Sequence, residues 1–238
     1  MKPTADPEET IAETDTIAAA EAPSDVCDGA GGASTSPGTS RAVRRRAAMI
    51  EAATEVFTRH GFAAASLDMV IERSGGSRRT LYEQFGNKEG LFHATIDSML
   101  ERVVGAFAVL DGPGSGDPEE DLRAAGTEFL RALLSEDGVA VCRLVMAEMQ
   151  RFPTLGKRFF DTGPARSYAA VGRYLEQQNA AGRLHVPDPA MSACQLVEMF
   201  RGDLHLRALL RGDPTPPCEV IERHVSNAIT LFLAGVRG

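Results

Sequence analysis

The polar run Ser77-Arg78-Arg79-Thr80 carries side chains that are well suited to molecular recognition. Each arginine guanidinium can donate two parallel hydrogen bonds, which match the O6 and N7 acceptors of guanine in the DNA major groove. Hydroxyl groups and the free N–H groups of a helix N-terminus donate to phosphate oxygens. The run is therefore a candidate contact to a nucleic acid, although its spacing alone is also that of an ordinary exposed helix face.

Two short helices are needed to present this run. Ser66 is typical of a helix N-cap, and apolar residues follow it at helical spacing until Gly75-Gly76 interrupts the pattern. Ser77 predicts the N-cap of a second short helix, which Leu81 and Phe85 anchor through its inner face. Two such helices joined by a tight glycine-containing turn are typical of a helix-turn-helix, whose second helix enters the major groove.

Further basic residues flank the two short helices. Arg44-Arg45-Arg46 can contact phosphates or lie in the minor groove, and a solvated helix start explains this cluster equally well. We expect Lys88, at the start of the next helix, to reach a neighbouring phosphate. The predicted DNA-binding residues are Arg44, Arg45, Arg46, Ser66, Ser77, Arg78, Arg79, Thr80, Tyr82 and Lys88.

Positive charge is confined to this part of the chain. The 238 residues have a net charge of −8. Residues 1–40 contain eight acidic residues and one basic residue, whereas residues 41–95 contain nine basic and six acidic residues. A short basic segment in an acidic protein is the electrostatic footprint expected for binding phosphate groups.

The first 40 residues are poor in large apolar side chains, which predicts a disordered acidic tail. Such a tail can act as a passive solubilising segment or compete with DNA for the basic segment. It lacks the pattern of a secretory signal, and no stretch of about 20 apolar residues predicts a membrane span. We therefore expect a cytoplasmic protein without a membrane partner.

The four cysteines of the chain show no paired motif, so we expect reduced thiols, with a redox sensor as the alternative.

The remainder of the chain predicts an all-α fold, because apolar residues recur at helical spacing and no run alternates as a strand does. We predict a tail at residues 1–40, a three-helix DNA-binding domain with the helix-turn-helix at 41–92, and a second helical domain at 93–238. The turn-rich segment 111–118 interrupts the helices. Beyond the two short helices, the predicted helices are Arg41–His60, Asn87–Val109, Leu122–Ser135, Val139–Arg151, Leu155–Asp161, Ala165–Ala181, Pro189–Leu210 and Cys218–Val236.

The segment from Thr80 to Phe92 reads T-L-Y-x-x-F-x-x-K-E-x-L-F, which resembles the DNA-binding domain of the TetR/AcrR family of transcriptional regulators. The resemblance implies that residues 41–92 read DNA. It also implies that residues 93–238 form a helical domain that binds a small molecule and dimerises.

Three positions depart from the usual pattern of that family. Ile71 replaces a common alanine, which is expected to change the packing of the first short helix. Gly76 replaces a small apolar residue that fills the turn, so we expect a looser turn with less core contact. Gln84 replaces a frequent histidine or tyrosine, which puts the phosphate contact at this position in doubt.

The segment Arg143–Leu155 resembles, more weakly, one subtype of the family's ligand-binding domain. By this resemblance a pocket lies within residues 96–182, and its many apolar side chains favour an apolar or aromatic effector. Each of these side chains fits simple core packing as well, and Glu148 with Arg151 fits an ordinary surface pair. The predicted ligand-binding residues are Phe107, Phe129, Arg143, Glu148, Met149, Phe152, Phe159 and Tyr174.

The resemblance further implies a homodimer that represses transcription from a palindromic double-stranded DNA operator. The last two predicted helices carry more apolar surface than one core requires, so we expect them to form the dimer interface.

An enzyme is the first alternative to a DNA-binding regulator. The five histidines show no metal-ligand spacing and no phosphate-binding loop is evident, so we expect no cofactor and no metal. A helical adaptor whose basic run only contacts water is the second alternative.

Overall fold

The computed structural model describes residues 37–236, and of these the side chains of residues 41–236. Four helices form the N-terminal part of this region. Helix α1 contains a break at Gly61, where φ is 71°. The four helices are α1 (Pro37–Ala64), α2 (Leu67–Ser74), α3 (Arg78–Phe85) and α4 (Lys88–Gly105).

Side-chain caps define the ends of the short helices. Ser66 Oγ accepts a hydrogen bond from the Met69 N–H at 3.2 Å, and Ser77 Oγ accepts one from the Thr80 N–H at 3.1 Å. Gly75 ends α2 with a left-handed φ of 65°, which glycine adopts without steric cost. The helix-turn-helix predicted from the sequence is thus confirmed in its local geometry.

Six further helices and one 3₁₀ segment complete the described chain. The 3₁₀ segment, Ala106–Asp111, continues from α4. The helices are α5 (Pro118–Leu134), α6 (Glu136–Glu148), α7 (Leu155–Thr162), α8 (Pro164–Ala180), α9 (Pro189–Arg211) and α10 (Cys218–Val236). The elements of residues 37–236 are therefore all helical, as predicted.

An aromatic cluster joins the N-terminal helices to the segment after α6. The ring of Phe62 stacks on Phe57, with 5.9 Å between centroids, and packs edge-on against Phe152 at 4.9 Å. Phe92 of α4 contacts the Phe152 ring as well, at 5.7 Å. Because Phe57, Phe62 and Phe92 are almost fully buried, the cluster packs the segment that carries Phe152 tightly against α1 and α4.

Several predicted helix boundaries were wrong, including both ends of α6, which spans Glu136–Glu148 rather than Val139–Arg151. Helix α1 begins at Pro37 rather than Arg41, so the predicted tail overlaps it by four residues; the rest of that tail lies outside the described residues. Helix α4 ends at Gly105 instead of Val109, because the chain tightens there into the 3₁₀ segment.

A further correction concerns α9, which we predicted to be continuous. It breaks at Gly202, where φ is 47° and ψ is −149°. A Cβ atom at this position would lie 2.4 Å from His224 Cε1 of α10, so the backbone can approach α10 here only because residue 202 is glycine. The cause lies in tertiary packing, which helical periodicity does not report.

Candidate nucleic-acid interface

Helix α3 turns one face to the core and the opposite face to solvent. Leu81 and Phe85 are buried. Arg78, Arg79 and Tyr82 are exposed, and the Arg79 side chain retains 88% of its maximal accessible surface. The face that carries the predicted base-reading residues is therefore unobstructed within the described chain.

Both arginines of α3 form ion pairs on the protein surface. Arg78 pairs with Asp68 of α2, and Arg79 Nε lies 2.7 Å from Glu83 Oε1, one turn further along α3. Exposed ion pairs of this kind are worth at most about 1 kcal/mol. A phosphate or a guanine edge can therefore replace either carboxylate, while the pairs hold the guanidinium groups near the helix surface beforehand.

The hydroxyl groups at the helix starts serve first as caps. Ser77 Oγ accepts the Thr80 N–H and also lies 2.9 Å from Thr80 Oγ1, with either hydroxyl able to donate. Ser66 Oγ caps α2 in the same manner. A capping serine uses an oxygen lone pair, so its own O–H remains available to donate to a phosphate.

The three predicted arginines of α1 have different surroundings. Arg44 and Arg45 line an open cleft of about 550 Å³ that also includes Ser77 and Thr80 at the start of α3. The guanidinium carbon of Arg46 instead lies 4.6 Å from the centroid of the Phe85 ring, a cation–π contact. The structure thus brings Arg44 and Arg45 together with the N-terminus of α3. Arg46 instead packs on Phe85, on the inner face of α3.

Lys88 lies at the junction with the C-terminal helices. Its Nζ donates to the Ala63 carbonyl oxygen at 3.2 Å and lies 4.7 Å from the centroid of Phe62. Burial, followed by the positive charge of Arg151, lowers the pKa of Lys88, and Glu148 partly offsets this. Because a lysine ammonium has three N–H donors, Lys88 can contact a phosphate and keep its hydrogen bond to the Ala63 carbonyl.

The turn of the helix-turn-helix is filled by a residue from α1. A Cβ atom on Gly76 would lie only 2.4 Å from the terminal methyl carbon of Met49, which is almost fully buried. Met49 thus occupies the space that a small side chain at position 76 would fill. The core contact that we expected to be lost at Gly76 is supplied from α1.

The structure also shows the surroundings of the other two residues that depart from the family pattern, Ile71 and Gln84. Ile71 is half-buried and packs against the core. The Oε1 atom of Gln84 is buried and has no hydrogen-bond partner among residues 37–236. Gln84 therefore presents no oxygen on the exposed face of α3.

The predicted ligand-binding residues lie in five separate places. Glu148, Met149 and Phe152 lie at or near the junction, where Glu148 Oε1 accepts the Phe62 N–H at 3.2 Å. Arg143 donates to the last carbonyl groups of α9, at 3.0 Å to Leu209 O.

The remaining four residues of that set are core or cavity residues. Phe107 and Phe129 pack together with 5.0 Å between ring centroids. The buried Tyr174 hydroxyl donates to Asp121 Oδ2 at 2.8 Å, and burial together with that carboxylate raises the pKa of Tyr174. Phe159 lines a small cavity between α4 and α9. The set therefore does not surround a single pocket.

Sequence reasoning missed two polar residues of that cavity, Arg201 and His205. The five histidines, His205 among them, enter the sequence analysis only as possible metal ligands, and the described residues contain no cluster of three or more His, Cys, Asp or Glu that could hold a metal ion. The available signal was the occurrence of two basic side chains four residues apart in an apolar helix.

The arrangement defines a class of protein, a helix-turn-helix DNA-binding protein with a helical C-terminal part. Comparisons with known proteins agree. Residues 49–95 match the family model for bacterial regulatory proteins of the tetR family, and residues 120–235 match the C-terminal domain of AefR-like transcriptional repressors.

Similar proteins support the same assignment. The transcriptional repressor ComR of Escherichia coli is 42% identical over 104 residues, which is 42% of this chain and 48%, about half, of ComR. The structure of the flavonoid-responsive regulator FrrA is 30% identical, with a TM-score of 0.62 over 82% of this chain and 97% of FrrA. A TetR-family regulator from Mesorhizobium loti has the same fold, with a TM-score of 0.71 at 24% identity over 82% of this chain and 98% of its own.

The chain belongs to the TetR family of transcriptional regulators. It is a DNA-binding regulator and not an enzyme, since both family models and the similar proteins are regulators. Among residues 37–236, no helix has the length and apolarity needed to cross a membrane.

Proposed function

We propose that this protein is a cytoplasmic, ligand-responsive repressor that binds a near-palindromic operator as a homodimer and is released by a small apolar or aromatic effector. The observation that carries the proposal is the exposed face of α3, with Arg78 and Arg79 presented beside the cleft of Arg44 and Arg45. Repression is supported by the similarity to ComR, which is a transcriptional repressor. Residues 41–92 would read DNA and residues 93–238 would bind the effector and dimerise.

In this proposal the residues of the interface divide into two roles. Arg78 and Arg79 read base edges in the major groove, because they are the exposed arginines at the start of α3. Ser66, Ser77, Thr80 and Tyr82 donate to phosphates, as does Lys88. The cluster 44–46 contacts the neighbouring backbone, with Arg44 and Arg45 the better placed of the three.

Homodimer formation is supported by exposed apolar side chains on the last two helices. Leu206 and Leu210 of α9 are 57% and 76% exposed, and Leu231 of α10 is 70% exposed. The DNA-binding heads of the two subunits, residues 41–92 of each, must be held about 34–36 Å apart to read adjacent major grooves. Sedimentation of Leu210→Glu and Leu231→Glu is expected to give monomers, whereas Met146→Glu, an exposed position on α6, leaves the dimer intact.

Communication between effector and DNA would run through α4. Its first residue, Lys88, lies at the junction beneath the DNA-binding head, and Met99, Leu100 and Val103 further along line the cavity with Phe159. An effector that displaces the middle of α4 would therefore also displace the base of the head. This follows from the rigidity of a packed helix.

Operator selection from random DNA, followed by titration over a salt series, tests the proposal. A regulator is expected to recover a near-palindrome and to show log K falling linearly with log salt, by about 0.9 per phosphate neutralised. Binding without sequence preference would instead indicate a helical adaptor whose arginines only contact water, and the proposal would fail.

A further inference from the structure

A cavity of about 40 Å³ lies among six helices, α4 to α9. Its walls are largely apolar, with Met99 and Leu100 from α4, Leu133 from α5 and Phe159 from α7. Two polar side chains of α9, Arg201 and His205, complete the lining. The cavity therefore combines an apolar body with a polar end supplied by one helix.

The polar end carries two nitrogen atoms without a partner. Arg201 Nε and His205 Nε2 are both buried and form no hydrogen bond within residues 37–236. The guanidinium of Arg201 is engaged elsewhere through Nη1, which lies 3.4 Å from Glu198 Oε1, and through a cation–π contact with Phe129, with 5.9 Å between Cζ and the ring centroid. An unsatisfied buried nitrogen costs free energy, so two in one cavity make it suited to a ligand that accepts hydrogen bonds.

The break in α9 does not account for these two nitrogens. Helix termini and breaks leave carbonyl groups without a partner, and here His224 Nε2 lies 3.1 Å from the Met199 carbonyl oxygen. The Met199 carbonyl oxygen, near the break, is thus bonded from α10. Arg201 and His205 lie on either side of the break and face the cavity instead.

The protonation state of His205 limits what it can bind. Burial, together with the positive charge of Arg201, lowers the pKa of His205 to about 4, against a smaller opposing effect of Glu198. At neutral pH the imidazole is therefore uncharged and carries a single N–H, which can donate from Nε2. The end of the cavity then offers one permanent positive charge and one neutral donor.

We infer that this cavity binds the effector as a small monocarboxylic acid, whose carboxylate accepts hydrogen bonds from Arg201 and His205 while its apolar body lies against Leu100 and Phe159. A carboxylate satisfies both nitrogens and pairs with the guanidinium charge. A primary amide of the same shape satisfies the hydrogen bonds but not the charge. The inference rests on the proposed function, since it names the chemical class of the effector.

The size of the cavity restricts the acid to a single ring or a short chain. A volume of about 40 Å³ holds water molecules, whereas drug-sized ligands occupy roughly 300–1,000 Å³. Side chains of Met99, Leu100 and Leu133 must therefore rotate to admit a ligand. Methionine is well suited to this because its three rotatable bonds adapt to irregular spaces.

Calorimetric titration of the full-length protein with benzoate, phenylacetate and hexanoate, each beside its primary amide, tests the inference. At least one acid is expected to bind ten times or more tightly than its amide. Arg201→Gln is expected to weaken that binding at least tenfold, and Arg201→Lys is expected to weaken it less. Arg166→Gln, an exposed arginine of α8 outside the cavity, serves as the matched control and leaves binding unchanged.

The inference is overturned if none of the three acids binds, if acids and amides bind equally, or if a folded Arg201→Gln protein binds as the wild type does. The comparison of acid with amide uses the wild-type protein, so it stands even if the variant does not fold. Operator binding without any acid is measured in parallel. A protein that binds its operator but no acid contradicts only this inference, whereas acid binding without operator binding supports the site and contradicts the proposed regulatory function.

Discussion

The Glu148 carboxylate accepts a hydrogen bond from the backbone N–H of Phe62 at 3.2 Å, across 86 residues of sequence. The break at Gly61 leaves this N–H outside the regular bonding of α1. Glu148 lies at the end of α6, so the bond fastens the C-terminal helices to the base of the DNA-binding head. Arg151 adds a cation–π contact on the same ring, at 5.0 Å.

Replacement of Glu148 by alanine is expected to destabilise the protein by about 1 kcal/mol, since a half-buried N–H loses its partner. It is also expected to reduce the response of operator binding to an effector, because the junction becomes looser. Glu148→Gln retains an acceptor oxygen and is the matched control. Urea unfolding and operator titration check both effects, and equal stability of the alanine and glutamine variants would contradict the role of this bond.

Met49 and Gly76 are expected to show strong energetic coupling. Gly76→Ala places a methyl group against the buried Met49 side chain, so it is expected to destabilise the wild type. In a Met49→Ala background the same methyl group enters vacated space and is expected to stabilise the protein. A double-mutant cycle from urea unfolding should give a coupling of about 1 kcal/mol or more, and additive effects would show that Met49 does not fill the turn.

Gly202→Ala is expected to destabilise the protein by roughly 2–3 kcal/mol, because φ is positive and the new Cβ meets His224. Gly105→Ala is the matched control. Its φ is −59° and nothing lies within 4 Å of the added Cβ, so it is expected to stabilise by about 0.5–1 kcal/mol. Thermal or urea unfolding measures both variants. A neutral Gly202→Ala would mean that α9 is not broken there in solution.

The lowered pKa of His205 predicts a specific loss of stability in acid. Below its ordinary value of 6.5, His205 binds a proton in the unfolded chain but not in the folded protein until about pH 4, so stability falls as pH is lowered through this window. The loss due to this residue should be on the order of 3 kcal/mol across the whole window.

His205→Gln removes this titration. The difference in unfolding free energy between wild type and variant, measured in urea at pH 7 and pH 4.5, should therefore shift in favour of the variant at the lower pH. A difference that is the same at both values would show that the imidazole is not buried in neutral form.

Local signals identified the DNA-binding head correctly. The N-caps are Ser66 and Ser77, and Gly75 ends α2. Each of these residues caps its helix through a hydrogen bond with a backbone group a few positions away, so its role can be predicted from the neighbouring sequence. The order of helices and the exposed face of α3 followed from the same short-range rules.

Features made by distant residues could not be predicted in this way. Glu148 was assigned to ligand binding, yet its hydrogen-bond partner is Phe62, on a different helix. The break at Gly202 depends on His224 of α10, and the unpartnered nitrogens of Arg201 and His205 depend on six helices packing around them. The periodicity of apolar residues shows which face of a helix is buried, but not which residues of other helices that face contacts.

The central claim is that Arg78 and Arg79 at the start of α3 read the operator, and the ratio of affinities for operator and scrambled DNA at fixed salt tests it most directly. Arg78→Ala and Arg79→Ala are each expected to lower this ratio by about 5-fold to 150-fold, the equivalent of about 1–3 kcal/mol. Lys88→Ala should weaken binding to both DNAs alike, and the exposed Arg166→Ala should change neither. If both α3 variants keep the full wild-type ratio, base readout does not lie at the start of α3 and the account is contradicted.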